Sequence, residues 1–290
     1  MITESLRHCS GVGPTRLAQL HDIGIRSWND VIEHASKIPQ GIRSNLLSES
    51  RRALTALDAN DIGYFVSHLC PQDKWRILVE FFDHTSYFDI ETSGLELDAS
   101  ITVIVCWHRR QLHTFVEHEN LDDFLDLLDD VSLLASFNGA SFDVPRVLDA
   151  FHIPGLPCPH LDLRWPCYHL GLTGGLKNIE RTLQIERPCD LGQTDGELAI
   201  QLWSDWRERQ DAAARGHLIR YCAADVLTLV MLAQHLARVD HYAPNELWSH
   251  LPEHTGGLHD RPRMVQHPVL ATLFGSAGPS KLRTRRRLAE

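Results

Sequence analysis

The chain has 290 residues, 43% hydrophobic and 23% charged, and 38 Asp and Glu outnumber 28 Lys and Arg for a formal charge of −10. That length and apolar share suit a soluble globular protein, a small module plus one larger domain with a full core. No stretch approaches the roughly 20 apolar residues of a membrane span, and Glu4 and His8 sit where a signal peptide needs an apolar core, so a cytoplasmic protein with no membrane partner is expected.

From the N-terminus, Ser10-Gly11-Val12-Gly13-Pro14 precedes the helical pattern Thr15-Arg16-Leu17-Ala18-Gln19-Leu20, then Ile23-Gly24-Ile25 and Trp28-Asn29-Asp30-Val31-Ile32. Gly11 and Gly13 permit a tight turn, and Pro14 suits the first position of the next helix. Backbone N–H groups at that helix start, with Arg16 nearby, suit a phosphate oxygen and would hold the nucleic-acid backbone without reading its sequence. The segment resembles a helix-hairpin-helix nucleic-acid-binding module over 1–62; the other reading is a helix-turn-helix unit that packs only on its neighbours.

Strands are expected over 85–91, 101–107, 112–116 and 132–137, with a short one near 160–163. Helices are expected over 121–129, 143–151, 176–183, 197–209 and 212–238. Strands first and helices later predict an α+β, layered fold with a mixed sheet flanked by helices. From 241 to 290, prolines such as Pro244, Pro252 and Pro262 leave little periodicity, so an irregular extension is expected. Its basic stretch, Lys281 to Arg287, is read either as an electrostatic tether or as a tail touching nothing specific.

Asp89 and Glu91 lie two apart in a strand pattern, so both leave one face, and two like charges side by side call for a cation. Asp143 follows the turn-forming run Asn138-Gly139-Ala140-Ser141 and opens a helical stretch. Tyr221 and Asp225 are four apart on a long helical pattern and share its face. Oxygen ligands of this kind suit Mg²⁺ or Mn²⁺, which keep open positions for phosphate oxygens. A phenol with a reference pKa of about 10 is a poor base at neutral pH, so Tyr221 suits aiming a water rather than deprotonating it. Singly, each motif also has a bland explanation as a strand edge, a capped turn or a helix-surface pair.

Taken in chain order, Phe88-Asp89-Ile90-Glu91-Thr92-Ser93-Gly94-Leu95, Asn138-x-x-x-Phe142-Asp143 and Tyr221-x-x-x-Asp225 resemble the three exonuclease motifs of the DEDD (DnaQ-like) superfamily. The tyrosine selects the subclass. Trp75-Arg76, Leu161-Asp162-Leu163 and Leu176-Lys177-Asn178-Ile179-Glu180 narrow the resemblance to YprB-like exonucleases of the ribonuclease H-like fold, over roughly 75–240. What the resemblance implies is a two-metal 3′-to-5′ exonuclease acting on single-stranded DNA or RNA ends, with Mg²⁺ or Mn²⁺ held by Asp89, Glu91, Asp143 and Asp225 and the water aimed by Tyr221. It also implies that Thr92, Gly94 and Leu95 line the pocket for the 3′-terminal nucleotide, with Leu95 as simple core filler the other reading, and it counts Asn138 among the nucleic-acid contacts. A ribonuclease H-type endonuclease on RNA-containing hybrids and an inactive nucleic-acid-binding scaffold are the alternatives.

Two residues stay open. Asp162 is either a carboxylate holding a neighbour of the site or a strand-end cap, and Lys177 either meets a substrate phosphate at a helix start or is a surface lysine after a Gly-rich turn. The pairs Cys158/His160 and Cys167/His169 depart from zinc-ligand spacing. Seven cysteines, an odd number with no C-x-x-C pair, are expected to be reduced thiols. The acidic balance does not oppose nucleic-acid binding, since bound metal offsets catalytic carboxylates and local patches matter more than the sum.

Overall fold

Alternation of side chains along one eight-residue strand sets up the molecule. In the computed structural model, which describes residues 1–96, 98–192 and 195–253, the chain begins with α1 (Pro14–Asp22), α2 (Trp28–Glu33), α3 (Gln40–Asp58), α4 (Ile62–His68) and α5 (Trp75–Phe81). The sheet follows with β1 (Thr85–Thr92), β2 (Ile101–His108) and β3 (Gln111–Val116), then α6 (Asp123–Leu128), β4 (Leu133–Ser136), α7 (Asp143–Ala150) and β5 (His160–Asp162). The helices α8 (Arg164–His169), α9 (Leu176–Leu183), α10 (Gly196–Arg209), α11 (Ala212–Ala237) and α12 (Pro244–Trp248) complete the described chain.

The sheet is mixed, as expected, in the order β3-β2-β1-β4-β5. The first three strands are antiparallel neighbours, and β1, β4 and β5 run parallel. Phe88 and Ile90 leave one face of β1 and join Ile104, Phe115, Phe124, Leu134 and Val147 in a core under α6 and α7. Each such side chain contributes about 1.5–3 kcal/mol on burial. Asp89 and Glu91 leave the other face, which α11 covers by packing on β1 and β2. Because helices cover both faces, β2 is buried along its whole length and reads as a continuous apolar run.

At α11, length and composition suffice to cross a bilayer, contrary to the expectation that no stretch approaches that size. Its most apolar window is 89% buried inside the fold, so it is a central helix covered from every side. The Asp211 side chain caps it by accepting from the Ala213 and Ala214 N–H groups.

Near the N-terminus, Gly13 is the N-cap of α1 and Pro14 its first residue, while Gly11 has φ +85°. The element before this turn is one 3₁₀ turn, Ile2–Glu4. Ser5 Oγ donates to Asp73 Oδ2 (3.1 Å) and Arg76 Nη1 to the Met1 carbonyl (2.7 Å), so this segment packs into the start of α5. The irregular reading of 241–290 needs correction over its described part, 241–253, where α12 forms, Leu247 is buried, and Tyr242 and His250 pack their rings on Trp107; residues 254–290 lie outside the described residues. Pro244 sits at the first position of α12, where its missing N–H costs nothing. The basic stretch 281–287 lies outside the described residues.

Candidate active site

Parallel pairing of β1 with β4 ends at Tyr87 opposite Ala135, whereas antiparallel pairing with β2 continues to Thr92. The last part of β1 therefore projects past β4, at the carboxyl ends of the parallel strands, the usual place for a site in such sheets. The Asp143 side chain reaches this edge, close enough to the backbone N–H groups of Ile90 and of Asp143 itself for both to favour its ionised form. A register shift between Glu91 and Thr92 then turns the chain away, a device common beside functional side chains.

The loop that delivers Asp143 is held from below by Asp162. One oxygen accepts from the Asn138 N–H (2.8 Å) and the Arg164 N–H (3.0 Å), the other from the Ala140 N–H (3.1 Å). Asp162 is thus both a strand-end cap and the support for the Asp143 loop. Asn138 has φ +66°, and its side-chain oxygen accepts from Ser141 Oγ and from Arg164, so it shapes this turn. Gly139 is required for close approach: a Cβ there would stand 1.9 Å from Ser136 Oγ and 3.0 Å from Asp143 Oδ2.

From across the sheet face, α11 brings Tyr221, Cys222 and Asp225. Carboxylate oxygens of Asp89 and Glu91 and the Cys222 sulfur lie within 4.8 Å of one another. Cys222 Sγ donates to Asp89 Oδ2 (3.7 Å) and to the Asp89 carbonyl (3.5 Å). Asp143 and Asp225 are outside that tight group, yet buried and near enough to act on it electrostatically. Asp225 is bound by Arg187, whose guanidinium also bonds Glu180, and Glu180 in turn accepts from Thr228 Oγ1 (2.9 Å). Lys177 Nζ stands 4.6 Å from the centre of the Tyr221 ring. Lys177 therefore faces the site rather than open solvent.

Other expected contacts are already satisfied internally. Thr92 Oγ1 donates to the Gly94 carbonyl (2.7 Å), closing the turn after β1. Arg146 on α7 clasps the carbonyls of Leu95, Glu96 and Ala99, and Leu95 itself is exposed. Arg16 Nη1 donates to the Gly11 carbonyl (2.6 Å) across the N-terminal turn.

Burial is the main force on these groups. It raises Asp89 and Glu91 well above the carboxylate range, with the charges of Asp225 and Asp143 adding to it. Lys177 and Arg187 oppose the rise at Glu91. Burial lifts Asp143 to about 7, against the pull of the nearby backbone N–H groups of Asp143 and Ile90. Burial, then Asp225 and Glu91, raise the Tyr221 phenol, which stays protonated at neutral pH. Carboxyls whose folded pKa is raised stabilise most below their unfolded pKa and lose that contribution as pH rises through the folded value. Without metal, the protein is therefore expected to melt at a lower temperature at pH 8 than at pH 5, and Asp143→Asn to flatten that slope; thermal unfolding in EDTA checks it.

Carboxylates that raise one another's pKa fit a divalent cation, and an oxygen donor set suits a hard ion. Asp89 and Glu91 could hold it together, with Asp143 and Asp225 close enough to add further oxygens and the Cys222 sulfur as a softer neighbour.

A family model described as the RNase_H superfamily matches residues 86–237. The chain belongs to the RNase_H superfamily. The match begins inside β1 and ends at the last residue of α11, so it encloses the whole constellation of this RNase H-like domain. Among solved structures, the family B DNA polymerase of the hyperthermophilic archaeon Pyrobaculum calidifontis is similar at 16% identity and a TM-score of 0.40, covering 53% of this chain. The chain spans 27% of that polymerase. No curated protein sequence matches.

Cys222, Arg187 and Glu180 are absent from the sequence-derived site. Cys222 adjoins Tyr221 and Glu180 lies in the run following Lys177, but the partner of Cys222 is fixed only when α11 packs on β1, and those of Glu180 only when α9 meets α11 and Arg187. Arg187 falls in an irregular segment with no period to mark it.

Proposed function

We propose that the chain is a 3′-to-5′ exonuclease of the DEDD tyrosine subclass, hydrolysing phosphodiester bonds with two Mg²⁺ or Mn²⁺ ions. The observation that carries this reading is the convergence of four carboxylates beside Tyr221, the partly buried Asp89 and Glu91 of β1 with the buried Asp143 of α7 and Asp225 of α11, within a domain of the RNase_H superfamily. When bound, the ions would activate the attacking water and neutralise the leaving 3′ oxygen.

The side chains divide the remaining work. Asp89, Glu91, Asp143 and Asp225 hold the metals. Tyr221, kept protonated, hydrogen-bonds the attacking water and aims it. Lys177, beside Tyr221 and electrostatically coupled to Glu91, meets the scissile phosphate. Gly94 and Leu95, in the turn that Thr92 closes, border the terminal nucleotide. In this reading, residues 1–62 hold the backbone of the substrate through the start of α1, and the protein works in the cytoplasm.

The test is cleavage of 5′-labelled single-stranded DNA, single-stranded RNA, duplex and hybrid with Mg²⁺, Mn²⁺ or EDTA, each with a free and a blocked 3′ end. A metal-dependent ladder shortening from free 3′ ends is expected. Internal cuts indifferent to the block would replace this reading with an endonuclease, and binding without cutting would replace it with a scaffold.

A further inference from the structure

Among the described Trp, Tyr and Phe side chains, Trp165 and Tyr168 alone are exposed, at 50% and 58%. With Leu170 they make three of the six exposed large hydrophobic side chains among the described residues, gathered within six positions. Burial elsewhere on α8 explains how they are displayed: Pro166 and Cys167 are buried, and α8 packs on the 3₁₀ turn Pro71–Asp73. The two rings lie 6.4 Å apart, nearly edge-on, and Arg164 stands 5.8 Å from the Trp165 ring.

Both ends of this segment are tied to the catalytic edge. At one end, Arg164 bonds Asn138, and its backbone N–H bonds the Asp162 carboxylate that supports the Asp143 loop. At the other, Lys177 lies over Tyr221 and acts on Glu91. The exposed rings therefore sit on a strap whose two anchors are the borders of the site. Gly171, at φ +86°, lets that strap reverse between α8 and α9.

We propose that Trp165 and Tyr168, with Arg164, form a stacking surface for the unpaired strand of nucleic acid that feeds the site. The inference rests on the nuclease reading and locates the surface that grips the strand before it enters the site. Aromatic faces accept any base, so such a surface grips a strand without sequence preference, and the adjoining guanidinium attracts its phosphates. A duplex keeps its bases stacked inside and gains little from it.

The experiment compares the full chain with Trp165→Ala/Tyr168→Ala and Trp165→Phe/Tyr168→Phe, by fluorescence anisotropy of labelled oligo-dT and oligo-U in EDTA and by steady-state cleavage with metal. The Ala pair is expected to weaken single-strand binding about tenfold or more, and to raise KM far more than it lowers kcat. The Phe pair keeps a flat ring at each position and is expected to restore binding to within about threefold. Unchanged affinity in the Ala pair, or a Phe pair as weak as the Ala pair, overturns the proposal. If the wild-type chain cuts DNA or RNA and the Ala pair binds normally, the surface is wrong and the nuclease stands. If the wild-type chain cuts nothing yet the Ala pair loses binding, the nuclease reading is wrong and the surface stands.

Discussion

Asp89→Asn is expected to lower metal-dependent cleavage by about 10³-fold or more, because it removes a charged metal ligand where metal stabilisation of the transition state is worth several kcal/mol. The same substitution should not unfold the protein. Asp89 is pushed up by burial and by the charges of Asp225, Asp143 and Glu91, so a neutral side chain of the same shape relieves repulsion. The melting temperature in EDTA is expected to hold or rise, while the gain on adding Mg²⁺ largely disappears. A variant that melts normally and cuts at the wild-type rate would remove Asp89 from the chemistry.

Arg187→Met is expected to cost about 3–5 kcal/mol of folding stability, the usual penalty for removing one partner of a buried ion pair. Its guanidinium is 5% exposed and is shared by Glu180 and Asp225, which come from different helices. Without it, two buried carboxylates face each other, with only Thr228 Oγ1 donating to Glu180. Urea unfolding in EDTA measures the loss. The same substitution in an Asp225→Asn background is expected to cost clearly less, because one of the stranded charges is gone. Equal costs in the two backgrounds would show that Arg187 acts by packing rather than by charge.

What was legible in the sequence was local in origin. The period of two that puts Asp89 and Glu91 on one face is a property of one strand, and the four-residue spacing of Tyr221 and Asp225 a property of one helix. Both survive folding, and the long helix was placed within a residue of its ends. The mixed sheet followed from strand order and is what the structure contains.

What was not legible depends on tertiary packing. Asp162 was open between two roles because a strand-end carboxylate looks alike in both; three N–H donors from the Asn138–Ala140 turn and α8 show that it joins them. Arg187 follows α9 in an irregular stretch, and nothing local distinguishes it from a surface arginine. The short α8 contains Pro166, which disguises a helix in any pattern search, although a proline in the first turn is tolerated. The short α12 was hidden in the same way by Pro244 at its start.

If the carboxylates of β1, α7 and α11 exist to hold divalent cations, calorimetric titration of the metal-free chain with Mn²⁺ will register it. At pH 7, Asp143, lifted to about 7, is partly protonated, and burial raises Asp89 and Glu91 in the same direction, so a metal that binds here displaces protons. Mn²⁺ is expected to bind with proton release, read as a dependence of the observed heat on buffer ionisation, and this binding is expected to be lost in Asp89→Asn. No saturable Mn²⁺ binding to the wild-type chain, or identical binding and proton release in Asp89→Asn, would contradict it.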